Sequence, residues 1–151
     1  MENDLQAEIE IAASPSAVWQ LVRDPAQMPR WSPQVESVRM PEGESVDVGT
    51  RFTNRNRDGE LAWVTHGEIV RYQPEREIAF RIDENWVTWS LALAQTSGGT
   101  LLTQRRETSE GISPLSTELA DGFYGGVAAY GEVMLKGMRE TLAAIKTTAE
   151  E

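Results

Sequence analysis

The chain has 151 residues, 40% of them hydrophobic and 25% charged, which suits one domain with a buried core and excludes disorder away from the ends. Its 24 acidic and 14 basic residues give a formal charge of −10, which repels a phosphate backbone and disfavours nucleic acid as a partner. With no Cys and one His, it has no disulfide, no thiolate metal site and no His pair for a zinc centre, so neither metal nor cofactor is expected.

Leu5, Ala7, Ile9 and Ile11 alternate with Gln6, Glu8 and Glu10, the period of a strand with one buried face. Ser14-Pro15 then supplies an N-cap and a first-turn proline for a short helix over about residues 15 to 23, with Val18, Trp19, Leu21 and Val22 on its apolar flank. Asp24-Pro25 ends it, and the prolines at 25, 29 and 33 leave room for one more short helical turn around Trp31. Trp31 reads as a staple pinning these helices, or as a lid over whatever lies beneath.

From Val35 to Glu107, turn signals at PEGE, RDGE, QPER, DEN and SGG divide six alternating runs. They predict strands over 35–41, 49–57, 60–72, 76–83, 86–95 and 100–108, an antiparallel meander that makes seven strands with the first. Glu42, Glu44 and Asp47 read as a solvated acidic loop. After Gly111 the period changes: Leu119, Phe123, Val127, Tyr130, Met134, Met138, Leu142 and Ile145 recur at steps of three or four, predicting one long helix from Ser113 to Lys146. Gly122, Gly125, Gly126 and Gly131 weaken its first half. The N-terminus carries acids where a signal peptide has bases, and no stretch is apolar enough to span a membrane, so a cytoplasmic protein without membrane insertion is expected.

This order leaves one economical packing, an α+β helix-grip: a curved seven-stranded antiparallel sheet wrapped around a long C-terminal helix, with two short helices after the first strand. Here the sequence resembles the SRPBCC superfamily, which includes START-like lipid-transfer domains and the polyketide cyclase/dehydrase group. The resemblance is carried by SPSAVWQLVRDPAQMPRWSPQV, VGTRFTNRNRDGELAWVTHGEIVRYQPEREIAF, TWSLALAQTSGGTLLTQ and KGMRETLAAIK, and it covers nearly all of residues 1–151. It implies the fold and an internal cavity. It does not imply one activity, since the scaffold hosts carriers, cyclases and co-chaperones.

Alternation sorts the inner face. Arg51, Thr53, Arg55 and Arg57 share a solvated face, which turns Phe52, Asn54 and Asn56 inward. Glu68 marks the outer face of its strand together with His66, leaving Trp63, Thr65, Gly67 and Ile69 inside. Ile78, Phe80 and Ile82 share one face, and so do Val87, Trp89, Leu91 and Leu93. The expected ligand-binding set is therefore Phe52, Asn54, Asn56, Trp63, Thr65, Phe80, Trp89 and Leu91 from the sheet, with Phe123, Tyr124, Val127, Tyr130 and Met134 from the long helix. Each aromatic or Met in that set, taken alone, reads first as core packing, since buried large apolar residues are the norm. A buried amide without a partner is costly, so Asn54 and Asn56 need internal partners, water or a ligand.

His66 is the obvious general base by chemistry, but strand parity places it outside. Leu101 and Leu102 leave the parity of the last strand open, so Arg105 or Arg106 reaches the cavity mouth or forms an exposed ion pair. Three functions fit: a carrier of a small hydrophobic, lipid-like, aromatic or polyketide-like ligand; a cyclase/dehydrase-type enzyme with Asn56, Tyr124, Tyr130 and Arg105 or Arg106 as candidate catalytic residues; and a co-chaperone-like interaction module. The carrier is preferred, because no paired carboxylates, Ser-His pair or metal-ligand cluster stands out. Monomer and homodimer both remain open.

Overall fold

The structure is a computed structural model that describes residues 4–41, 46–108 and 127–151, without side chains for 127–130. The first strand, β1 (Leu5–Ile11), keeps its alternation, with Ile11 fully buried at its end. Ser14 Oγ then accepts from the Ala17 amide at 3.2 Å, which satisfies one of the open N–H groups starting α1 (Pro15–Val22). That helix buries Val18, Trp19 and Val22. Asp24 caps a 3-10 helix over Pro25–Arg30 in the same manner, and Trp31, buried at its end, carries the Arg30 guanidinium over its ring.

Six strands follow as a meander: β2 (Val35–Arg39), β3 (Arg51–Asp58), β4 (Leu61–Gln73), β5 (Glu77–Ile82), β6 (Thr88–Thr96) and β7 (Gly99–Glu107). The sheet order is β1-β7-β6-β5-β4-β3-β2, all antiparallel, so the chain's first strand pairs with its last. The helix α2 (Val127–Ala149) packs chiefly against β1, and also touches α1 and β7, burying Met138, Leu142 and Ile145. This is the helix-grip arrangement that the pattern predicted. The proposed helical stretch before Val127, with Phe123 and Tyr124, lies outside the described residues, as do Glu42 and Glu44. No described helix is long and apolar enough to cross a membrane.

A bulge interrupts the β4–β5 register between Ile69 and Arg71. Ile69 and Tyr72 both face inward as a result, and Tyr72 meets Trp19 with ring centroids 5.2 Å apart. Arg71 is turned outward instead. The register lays it beside Ala79 and Ser90, both small and buried, and its guanidinium reaches Glu77 at 3.0 Å and Glu107 at 2.6 Å. One arginine thus ties β4, β5 and β7 together on the convex face.

Asp4 makes a second tie, between the entry to β1 and the end of β7. Its Oδ1 accepts from the Thr108 amide and hydroxyl, both at 2.7 Å. Burial pushes the Asp4 carboxyl up, but the two Thr108 hydrogen bonds and the charge of Arg106 outweigh it and hold the group below the usual carboxylate range. A depressed pKa contributes stability above the unfolded-state value, and that contribution is lost as the pH falls through the folded-state value. Asp4→Asn is therefore expected to lower the melting temperature at pH 7, with the gap to wild type closing as the pH drops below about 4. Thermal melts of both proteins from pH 7 to pH 3 check it, and a gap that stays constant would show that Asp4 acts without its charge.

Candidate functional site

Between the concave face of the sheet, the 3-10 helix and α2 lies a cavity of about 150 Å³. That is room for one aromatic ring. The outer-face arginines of β3 set its polar side: with Arg51, Arg55 and Arg57 exposed, alternation drives Phe52, Asn54 and Asn56 inward, where they are 3, 4 and 7% exposed.

Asn54 and Asn56 both line the cavity, and so do Trp63 and Thr65 of β4. The Asn56 amide is held in one orientation. Its Nδ2 donates to Thr65 Oγ1 at 3.1 Å and to the Trp63 carbonyl at 3.4 Å, and a carbonyl only accepts, so the nitrogen must be the atom pointing there. Asn54 has no such support, and its buried Oδ1 has no hydrogen-bond partner among the described residues.

The apolar side comes from Phe80 of β5, Trp89 and Leu91 of β6, and Met134 of α2. Phe52 departs from the expectation. It faces inward but packs beneath Gly67, where a Cβ would lie 2.5 Å from its ring, and it meets Phe80 edge-to-face at 5.3 Å. It supports the wall and does not line the cavity. The glycine at 67 is what makes room for it. Tyr124 and Phe123 lie outside the described residues, and Val127 and Tyr130 sit on the first turn of α2 without described side chains.

The parity of β7 is settled by Leu102, which is fully buried. Gln104 and Arg106 share its inner face, while Arg105 is exposed and its Nε donates to Gln6 at 3.0 Å. The candidacy of Arg105 for the cavity is thereby corrected. Arg106 is buried at 3% exposure, beside Trp89 in the strand register. His66 lies on the outer face, half-exposed, with Nδ1 against Glu84 and its amide donating to the same carboxylate at 2.7 Å.

Several lining residues carry no strand or helix period and were not legible in the sequence: Met28 and Gln34 around the 3-10 helix, and Asn85 in the β5–β6 turn. Trp31 is both staple and wall, since it is buried at the cavity edge. Met138 and Thr141 of α2 close the floor, and the Thr141 hydroxyl is already donating to the Gly137 carbonyl at 2.8 Å. The polar side chains on the described lining carry amides, hydroxyls and the indole N–H groups of Trp31, Trp63 and Trp89, none of them charged, and such groups orient a ligand by hydrogen bonds. Among the described residues no cluster of three or more His, Asp or Glu is placed to hold a metal ion.

Solved structures share this architecture over nearly the whole chain. A Polyketide_cyc-like protein from Corynebacterium glutamicum is 29% identical, covering 95% of this chain and 88% of its own, with a TM-score of 0.65. A protein from Chromobacterium violaceum is 18% identical with 99% of both chains covered and a TM-score of 0.71. StfQ, the di-domain ARO/CYC of the steffimycin biosynthetic pathway, is 16% identical with a TM-score of 0.73, matched over 98% of this chain and 49% of its own. No curated protein matches the sequence significantly. The sequence model described as "Polyketide cyclase / dehydrase and lipid transport" matches residues 3–150, and with the helix-grip sheet and its internal cavity this places the chain in that family.

Proposed function

We propose that residues 1–151 act as one binding domain that takes a small, neutral, largely apolar molecule into the cavity between sheet and α2 and releases it unchanged. The observation that carries this reading is Asn54: an amide 96% buried, as its 4% exposure implies, on the wall of a mostly apolar cavity, with its Oδ1 unpaired among the described residues. Leaving such a group unpaired costs about 1 to 3 kcal/mol, which a bound polar atom offsets. A ring of ligand size also buries enough apolar surface against Trp63, Phe80, Trp89 and Met134 to favour entry.

The family's cyclase and dehydrase members give the competing reading, in which the cavity folds a poly-ketone and a side chain moves protons. The described lining favours the carrier, because amides and hydroxyls position a ligand without exchanging protons near neutrality. Native mass spectrometry of the purified protein, followed by titration with neutral ring compounds, tests it. A retained small molecule or saturable binding is the expected result. Turnover of a bound poly-ketone that is lost in Asn56→Ala, with binding kept, would overturn the carrier reading in favour of the enzyme.

A further inference from the structure

The unpaired acceptor on Asn54 has an unused donor beside it. Asn54 and Thr65 stand directly opposite each other on β3 and β4, and both line the cavity. The Asn54 oxygen, Oδ1, is buried without a partner among the described residues. Thr65 Oγ1 accepts from Asn56 Nδ2 at 3.1 Å, so the lone pair on that side is occupied, and its own hydrogen has no acceptor among the described residues. Opposed residues on one face of an antiparallel pair carry their Cβ atoms about 4.5 to 5.5 Å apart. Oδ1 and Oγ1 do not bond each other across that gap, whereas one oxygen placed between them reaches both, since each O–H···O bond is about 2.7 to 2.8 Å long.

We infer that Asn54 and Thr65 together recognise a single hydroxyl group, and that the ligand is a neutral phenol or ring alcohol whose remaining surface is apolar. The inference rests on the carrier reading and names its ligand class. A hydroxyl donates its hydrogen to Asn54 Oδ1 and accepts from the Thr65 hydroxyl, which satisfies both groups with one atom. A ketone or an ether only accepts, and leaves Asn54 unpaired. An aromatic amine donates to Asn54 but accepts poorly, and leaves the Thr65 hydrogen unused. A carboxylate meets no countercharge on the described lining and stays in water. The rest of the ring meets apolar side chains: Ile82 pairs with Gly67 and so lies diagonal to Thr65, with Phe80 and Ile78 beyond it on β5.

Chemical-shift titration of the ¹⁵N-labelled protein at pH 7 with p-xylene, p-toluidine and p-cresol, three uncharged compounds of nearly one shape, tests the two halves separately. Affinity is expected to rise in that order, with p-cresol about threefold or more tighter than p-xylene, the reverse of their order in a purely apolar cavity. Asn54→Leu is expected to weaken p-cresol and p-toluidine about tenfold each, and to leave p-xylene binding unchanged or tighter. Thr65→Val is expected to weaken p-cresol about tenfold and to leave the other two as they were, while Thr65→Ser keeps the wild-type order. Thr65→Val also removes a partner of Asn56 and lowers stability, but Asn54→Leu is expected to melt no lower than wild type, because an unpaired buried amide gives way to an apolar group of similar size, so the acceptor half is tested in a folded protein in any case. Equal affinity of the wild type for p-cresol and p-xylene overturns the inference and leaves the carrier reading standing. So does an Asn54→Leu or Thr65→Val variant in which all three compounds weaken alike, which marks the residue as structural. If none of the three compounds binds to the wild type, the carrier reading falls and this inference with it.

Discussion

Gly99→Ala is expected to destabilise the fold by about 4 kcal/mol or more, the upper end for a single substitution. Thr96 and Gly99 are paired across a two-residue turn, Ser97-Gly98, that joins β6 to β7. Gly99 has φ +146°, a conformation that side chains rarely adopt, and a Cβ there would lie 2.2 Å from the Ile11 carbonyl oxygen, 2.9 Å from the Ala13 amide nitrogen and 3.0 Å from the Ala13 carbonyl oxygen. All three are backbone atoms, so no rotamer change relieves the contact. The backbone they belong to is also fixed from other directions: Ile11 pairs with Thr100, whose hydroxyl donates to the Ala13 carbonyl at 2.8 Å, and Ser14 begins α1. Pushing the chain away opens the β1–β7 pairing on which α2 rests. The melting temperature is expected to fall on the order of 10 °C. Gly59→Ala is the control, since Gly59 also has positive φ (63°) but a Cβ there meets nothing within 4 Å, and a loss of only about 1 kcal/mol is expected. Equal losses in the two variants would show that conformation alone, and not the close approach to β1, sets the effect.

The same hairpin shows where the sequence was informative and where it was silent. SGG marked the turn and the alternation around it marked two strands, but the doublet Leu101-Leu102 and the run Thr103-Gln104 offer no contrast between faces. Only packing selects Leu102 for the interior, and with it Gln104 and Arg106. On β3 the contrast is strong, because three arginines cannot be buried together and so fix the inward position of Asn54 and Asn56. Period two reports a face and says nothing of depth, which is why Phe52 has the expected direction and yet sits under Gly67, behind the wall. The bulge after Ile69 leaves no mark in VTHGEIVRYQ, and it alone decides that Tyr72 and not Arg71 faces inward. The 3-10 segment reaches the cavity through prolines and a tryptophan that obey no period. The polar wall of the site was therefore legible from charge contrast, and the residues missed include those placed by irregular backbone and Gln104, on a strand whose two faces look alike.

Met138→Ala is expected to lower stability by about 3 kcal/mol while letting the protein take a larger ligand. Met138 is 2% exposed on α2 and forms part of the cavity floor, so its side chain fills space that borders the ligand volume directly. Truncation removes buried apolar contacts, which accounts for the loss. The space left behind joins a cavity of about 150 Å³ instead of standing as a separate void. A two-ring compound such as 2,6-dihydroxynaphthalene is then expected to raise the melting temperature of the variant and to leave that of wild type unchanged. At a hundredfold excess over its dissociation constant, such a ligand contributes about 2.7 kcal/mol, enough to restore most of the loss. Leu142 provides the comparison. One turn further along the same helix, it is 1% exposed and packs in the core cluster with Ile11 and Ile145, away from the cavity lining. Leu142→Ala is expected to lose a similar amount of stability and to gain no response to the two-ring compound. A response in both variants would mean that general loosening, and not the position of Met138 on the cavity floor, admits the larger ring.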